Sequence, residues 1–185
     1  MARKNSLRDF QAYLAGRLSD AAQGQAGTSW LGIEIGGEGW LIDLADSGEI
    51  ILAPQIAPVP LVQPWFAGMA NVRGNLFAVS DFSAFLGTQP TPHNANARLL
   101  LIGVRHGSNA ALLVPRMLGL KKPENFVPQA DDENFPDWGK QRFSDSEDRL
   151  GRKLAVRELL ADRTFMNIDI KKNLQFSPLR ASKEN

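Results

Sequence analysis

Pro64-Trp65-Phe66-Ala67-Gly68-Met69-Ala70-Asn71-Val72-Arg73-Gly74-Asn75-Leu76-Phe77-Ala78-Val79-Ser80-Asp81-Phe82-Ser83-Ala84-Phe85-Leu86-Gly87 is the stretch whose reading decides the fold. Met69 to Arg73 and Leu76 to Ser80 are strand-like runs, and Gly74-Asn75 between them supplies the positive φ of a tight hairpin turn. Ser80 or Asp81 is placed to cap a brief helix in which Phe82, Phe85 and Leu86 share one face, and Gly87 stands where a left-handed stop belongs. Turn, hairpin, helix and stop follow in order, with no catalytic side chain among them.

Upstream, Leu31, Ile33 and Ile35 alternate with Gly32 and Glu34, and Trp40, Ile42 and Leu44 alternate with Leu41 and Asp43 beyond Gly36-Gly37-Glu38-Gly39. Alternation on both sides of a glycine-rich turn predicts a second hairpin. Glu49 to Leu52 predicts a third strand before Pro54, Pro58, Pro60 and Pro64, whose missing amide donors suit a connection along a sheet edge. Further upstream, Ser6 with Asp9 resembles a capping box, and Leu7, Phe10, Leu14 and Leu18 predict an amphipathic helix that ends at Gly24 and Gly27. An unprotected apolar stripe is costly in water, so this helix is expected to dock on the protein's own body.

Downstream, Thr88 to Asn96 reads as a linker. Leu99 to Val104 and Ala110 to Val114 predict strands around a turn-forming five, Arg105 to Asn109, and Arg116 to Leu120 continues the sheet past Pro115. Residues 121–150 form a polar insertion in which Phe135, Trp138 and Phe143 pack partially. Leu154 and Val156 predict a last strand, Arg157 to Ala161 a helix, and Phe165, Ile168 and Ile170 a docked tail. Many short strands with few helices point to small barrels or a sandwich.

Composition narrows the function. With 43% hydrophobic and 22% charged residues in 185, the chain can build a substantial core, which argues against extended disorder. A net charge of +1 gives no general field for a polyphosphate, leaving a small nucleic-acid-binding barrel as the alternative reading; Lys121-Lys122 and Lys171-Lys172 read as solvated ends. The absence of cysteine removes disulfides, thiolate metal sites and a thiol nucleophile. Arg3 and Lys4 imitate a signal-peptide start, but Arg8 and Asp9 interrupt the apolar core it needs, and no run approaches the roughly 20 apolar residues of a membrane span. A soluble, cytoplasmic protein without membrane insertion is expected.

Catalysis finds little support. His93 and His106 both fall in turn-like sequence with no carboxylate or second ligand at usable spacing. Asp131-Asp132 and Glu147-Asp148 lack the spaced oxygens and glycine of a calcium loop, Gly36 to Gly39 is no phosphate-binding fingerprint, and no serine sits in a nucleophile elbow. The expectation is a non-enzyme with no metal and no cofactor.

Protein recognition remains. Arg73 lies at the rim of a tight turn, where a guanidinium can meet a carboxylate with little ordering cost, and Glu49 is its natural intramolecular partner. Trp65 and Phe66 are candidate anchors, with core packing beneath the proline loop as their other role. Asn71, Val72 and Gly74 complete the candidate site, Asn71 and Gly74 by holding backbone geometry.

Trp65-Phe66, Gly68, Asn71-Val72-Arg73-Gly74, Asp81 and Phe85-Leu86-Gly87 together resemble the central signature of CheW-like adaptor domains, with similarity from about Trp30 to about Phe165. The resemblance implies two small five-stranded SH3-like β-barrels packed into one mainly β unit. It would place a helical extension at 1–28, one domain at 29–170 with barrels at about 29–87 and 97–156 and a terminal segment crossing back, and a tail at 171–185. It also implies a scaffold joining the cytoplasmic tip of a methyl-accepting chemoreceptor to the regulatory domain of a CheA-type histidine kinase, recruited to membrane-associated receptor arrays. In that family the acidic residue at 49 and the arginine at 73 are tied to partner binding. The helical extension and the wording around Trp65 to Gly74 look most like the pilus-associated adaptors of twitching motility.

Overall fold

A computed structural model describes residues 29–170. The stripe from Leu7 to Leu18 and the tail from 171 lie outside the described residues. The chain forms β1 (Trp30–Ile35), β2 (Glu38–Asp43), β3 (Ser47–Leu52), β4 (Phe66–Val72), β5 (Asn75–Asp81), α1 (Phe82–Phe85), β6 (Arg98–Ile102), β7 (Ala110–Val114), β8 (Arg116–Lys121), β9 (Val127–Gln129), β10 (Arg142–Ser144), β11 (Leu150–Leu154), α2 (Val156–Ala161) and α3 (Arg163–Met166). The expected mainly β character holds. Val156 opens a helix, so the last strand stops at Leu154.

Among the described residues two sheets form, a six-stranded one in the order β8-β1-β2-β11-β10-β9 and a five-stranded one in the order β3-β6-β7-β5-β4. This pairing differs from a division into barrels at 29–87 and 97–156. The N-terminal hairpin β1–β2 pairs with β8 and, in parallel, with β11, whereas β6 and β7 join the sheet of β3 to β5. Two crossings produce the interleaving. A short 3-10 turn at Leu44–Asp46 carries the chain from β2 to β3. Pro115, without an amide to continue the β7 ladder, separates β7 from β8 and so marks the return to the first sheet. The β2–β11 pair needs close backbones: a Cβ on Gly151 would stand 2.9 Å from the Gly39 carbonyl oxygen.

Period-two patterning then assigns two cores. On β6, Leu100 and Ile102 face a core shared by both sheets, while Leu99 and Leu101 face a second one; on β7, Leu112 and Val114 divide from Ala111 and Leu113 in the same way. Strands buried on both faces read as the continuous apolar runs seen in the sequence. The shared core contains Leu31, Ile33, Ile35, Trp40 and Ile42 from the first sheet. Trp40 meets Phe82 edge-on at 5.4 Å, and Trp65 stacks on Phe165 at 5.6 Å, so α1 and α3 close its flank. The second core holds Ala70, Val72 and Val79 beneath the proline-rich connection, whose Ala57 pairs with Met69 of β4.

Candidate protein-binding site

Strands β4 and β5 pair up to Val72 opposite Asn75, which leaves Arg73 and Gly74 as the two loop residues. The turn is therefore Arg73-Gly74, one position earlier than a Gly74-Asn75 turn. Arg73 has φ +52° and Gly74 +88°, the paired positive angles of a two-residue hairpin loop, with glycine in its favoured second place. The Asn71 side-chain oxygen accepts a hydrogen bond from the Gly74 amide at 2.8 Å and pins the loop. Below it, Val72 is buried in the second core and β5 lies between β4 and β7, so the turn stands on a packed sheet.

Glu49 approaches from β3, the other edge of the same sheet. A bulge between Ser47 and Ile50 interrupts the register with β6 at Glu49. The Arg73 guanidinium donates to Glu49 Oε1 at 2.7 Å, with the two side chains 76% and 40% exposed. Their contact links the two edge strands. An ion pair this exposed contributes about 0–1 kcal/mol, so it orients Arg73 more than it stabilises the fold.

Trp65 and Phe66 are buried in the shared core, and Phe85 meets Trp65 edge-on at 5.2 Å. These aromatics are core residues at the end of β4 away from the turn. The structure thus brings Arg73, Glu49, Asn71 and Gly74 together at the surface, buries Val72 in the second core below them, and places Trp65 and Phe66 in the shared core. At the end of the stretch, the Asp81 carboxylate caps α1 through the Ser83 and Ala84 amides and accepts from the Thr91 amide and hydroxyl at 2.7 and 2.8 Å, fastening the 88–96 linker.

Sequence spacing missed one constellation. His106 has a carboxylate neighbour after all: its Nε2 lies 2.6 Å from Asp46 Oδ1, and Arg105 pairs with the same oxygen. Sixty positions separate Asp46 from His106, and no local signal joins them. The trio walls a cleft of about 580 Å³ that also includes Asp43 and Lys153, themselves paired at 3.0 Å. His93 is exposed in the linker. Among the described residues, no group of three or more His, Cys, Asp or Glu is arranged to hold a metal ion. The acidic runs are tied down by arginines. Arg152 beside Asp132, helped by the Asn134 amide, holds that carboxyl below its ordinary range despite some desolvation, and Arg149 does the same for Asp145.

Comparison with known proteins agrees with this fold and signature. The family model of the CheW-like domain matches residues 29–144. The protein PilI of Pseudomonas aeruginosa is 35% identical over 103 residues, an alignment covering 54% of this chain and 57% of that protein's length. The crystal structure of the scaffolding protein TtCheW from Thermoanaerobacter tengcongensis superposes with a TM-score of 0.62 at 15% identity, covering 74% of this chain and 94% of that one, a likeness of fold. No helix among the described residues is long and apolar enough to cross a membrane. With its signature hairpin, its two sheets and a family match over most of the described length, the chain belongs to the CheW-like domain family.

Proposed function

We propose that this protein is a non-catalytic adaptor linking the cytoplasmic tip of a methyl-accepting chemoreceptor to the regulatory domain of a CheA-type histidine kinase, in the pathway that controls type IV pilus twitching motility. Family membership and the likeness to PilI support the reading. The observation that carries it is Arg73, an exposed guanidinium at a left-handed position on a turn fastened to a buried sheet. Such a group is preorganised to exchange Glu49 for a partner's carboxylate, or to be gripped together with it. The adaptor makes and breaks no covalent bond. Its effect on a kinase comes from different contacts with the kinase's or receptor's states, the only way one protein can bias another's equilibrium. It works in the cytoplasm, held at membrane-associated receptor arrays by its partners.

Pull-down of receptor and kinase fragments with the Arg73→Asp and Glu49→Arg variants tests this. Each variant is expected to fold, by circular dichroism, and to lose retention of at least one partner. Undiminished retention of both partners by both folded variants would remove this turn from the interface.

A further inference from the structure

Residues 61–63 and 168–170 form a short antiparallel ribbon. Val62 bridges Asp169, the Gln63 amide donates to the Ile168 carbonyl at 2.8 Å, and the Ile170 amide donates to the Leu61 carbonyl at 3.3 Å. Val62 packs against the shared core. Residues one step along each strand turn to the opposite face, and the apolar ones there are open: Leu61 is 66%, Ile168 36% and Ile170 45% exposed, with Met166 at 57% just before them. Only Phe165 of the expected docked tail is buried. Leu61 also has φ +59°, a backbone conformation that bulky side chains avoid. A leucine in this region is strained, and the surrounding structure must hold it there.

We infer that this ribbon face is the seat of the chain's own N-terminal segment, whose Leu7, Phe10, Leu14 and Leu18 lie at the spacing of a helical stripe. The ribbon face is apolar and open, and the N-terminal stripe is apolar in sequence and belongs to the same molecule. The ten residues from 19 to 28 can extend about 33 Å, a length on the scale of the whole body formed by residues 29–170, whose radius of gyration is about 14 Å. A second copy fits less well, because four partly exposed side chains fall short of the roughly 800 Å² per partner that a stable interface buries. A tethered segment needs no such area, since its linker supplies an effective concentration in the millimolar range. The inference is independent of the adaptor reading and concerns a different surface.

The absence of cysteine makes the test direct. In the full-length chain, Leu14→Cys is combined with Ile170→Cys, and separately Phe10→Cys with Leu61→Cys, and each is treated with a short bismaleimide. A control pairs Leu14→Cys with Leu76→Cys, which is exposed near the β4–β5 turn, about one strand length from the ribbon. Monomeric, internally linked chains in both ribbon pairs and not in the control are expected. Equal yield in the control, covalent dimers, or no link in either ribbon pair would each overturn the assignment. As a second readout, Phe10→Asp in the full chain should accelerate amide exchange at Gln63 and Ile170 by about tenfold or more through loss of local protection. Exchange unaltered at both amides would also overturn it.

Discussion

Arg73→Gly separates structural from functional reasons for an arginine at this position, because the competing energies are small and readable. A non-glycine residue at φ +52° costs about 1–2 kcal/mol, which glycine recovers. Against this stands the 2.7 Å pair with Glu49. In bulk water, opposite charges at that distance attract by about 1.5 kcal/mol, and ordering two long side chains reduces an exposed pair to about 0.2–1 kcal/mol. Glycine also loosens the unfolded chain, at a cost of about 0.4–1 kcal/mol. The terms largely cancel, so stability should change by less than about 1.5 kcal/mol, read as a small shift in urea midpoint at constant slope. Binding should respond differently. If a partner buries the guanidinium against its own carboxylate, truncation costs about 2–4 kcal/mol, a loss of about thirtyfold or more in affinity by calorimetric titration. A folded variant with unchanged affinity would refute the contact. A stability loss above about 2 kcal/mol would refute the bookkeeping instead and make Arg73 a structural residue.

Gly68→Ala should be severe: at φ +132° a Cβ would stand 2.9 Å from the Ala57 carbonyl carbon and 3.1 Å from Pro58 Cα. Backbone strain plus loss of the paired Ala57 and Met69 hydrogen bonds amounts to roughly 2–6 kcal/mol, visible in the denaturant midpoint; a loss under about 0.5 kcal/mol would contradict the packing. Asp81→Asn puts an amide nitrogen toward backbone donors and should cost roughly 1.5–3 kcal/mol, with faster exchange at the Thr91 amide as its local sign. Arg152 lowers the Asp132 carboxyl in the folded state, so its contribution is present above the ordinary value of 3.8 and lost as pH falls through the lower folded value. The stability gap between wild type and Asp132→Asn should accordingly narrow as pH drops below about 3.8, and a gap that stays constant in acid would contradict the linkage.

Element types were largely legible because their signals are local. Gly36 and Gly37, at φ +59° and +86°, turn the first hairpin as the glycine run implies. Asp81 and Gly87 bracket α1 from the positions where a cap and a left-handed stop were expected. The apolar runs of β6 and β7 read as strands, but period two says which face a side chain takes and nothing about which strand lies beside it. The parallel β2–β11 pairing joins segments more than 100 positions apart, and no local signal names the two strands as neighbours. The turn lies one position earlier than a Gly74-Asn75 pair implies: the Asn71 cap and the Val72–Asn75 pair place Gly74 second in the loop and give Arg73 the left-handed angle. The Asp46–His106 contact illustrates the same limit, since a tertiary side-chain contact across sixty positions leaves no trace in spacing.

The interleaved sheets also limit how a signal could pass through this protein. Among the described residues, seventeen buried side chains form the shared core, contributed by both sheets, by α1 to α3 and by Trp65 and Trp138 of the connections. Fully burying each large apolar side chain contributes about 1.5–3 kcal/mol, so parting the sheets would cost far more than the 1–3 kcal/mol typical of coupling between binding sites. A partner seated on Arg73 and Glu49 therefore meets a body that moves as one piece. Hydrogen exchange should show this as protection confined to residues near Glu49 and Asn71 to Leu76 when a partner binds, with β1, β2 and β11 unchanged because the shared core does not open. Accelerated exchange in β11, the strand that ties the chain's end to its first hairpin, would mean that the sheets separate on binding and that this rigid-body account fails.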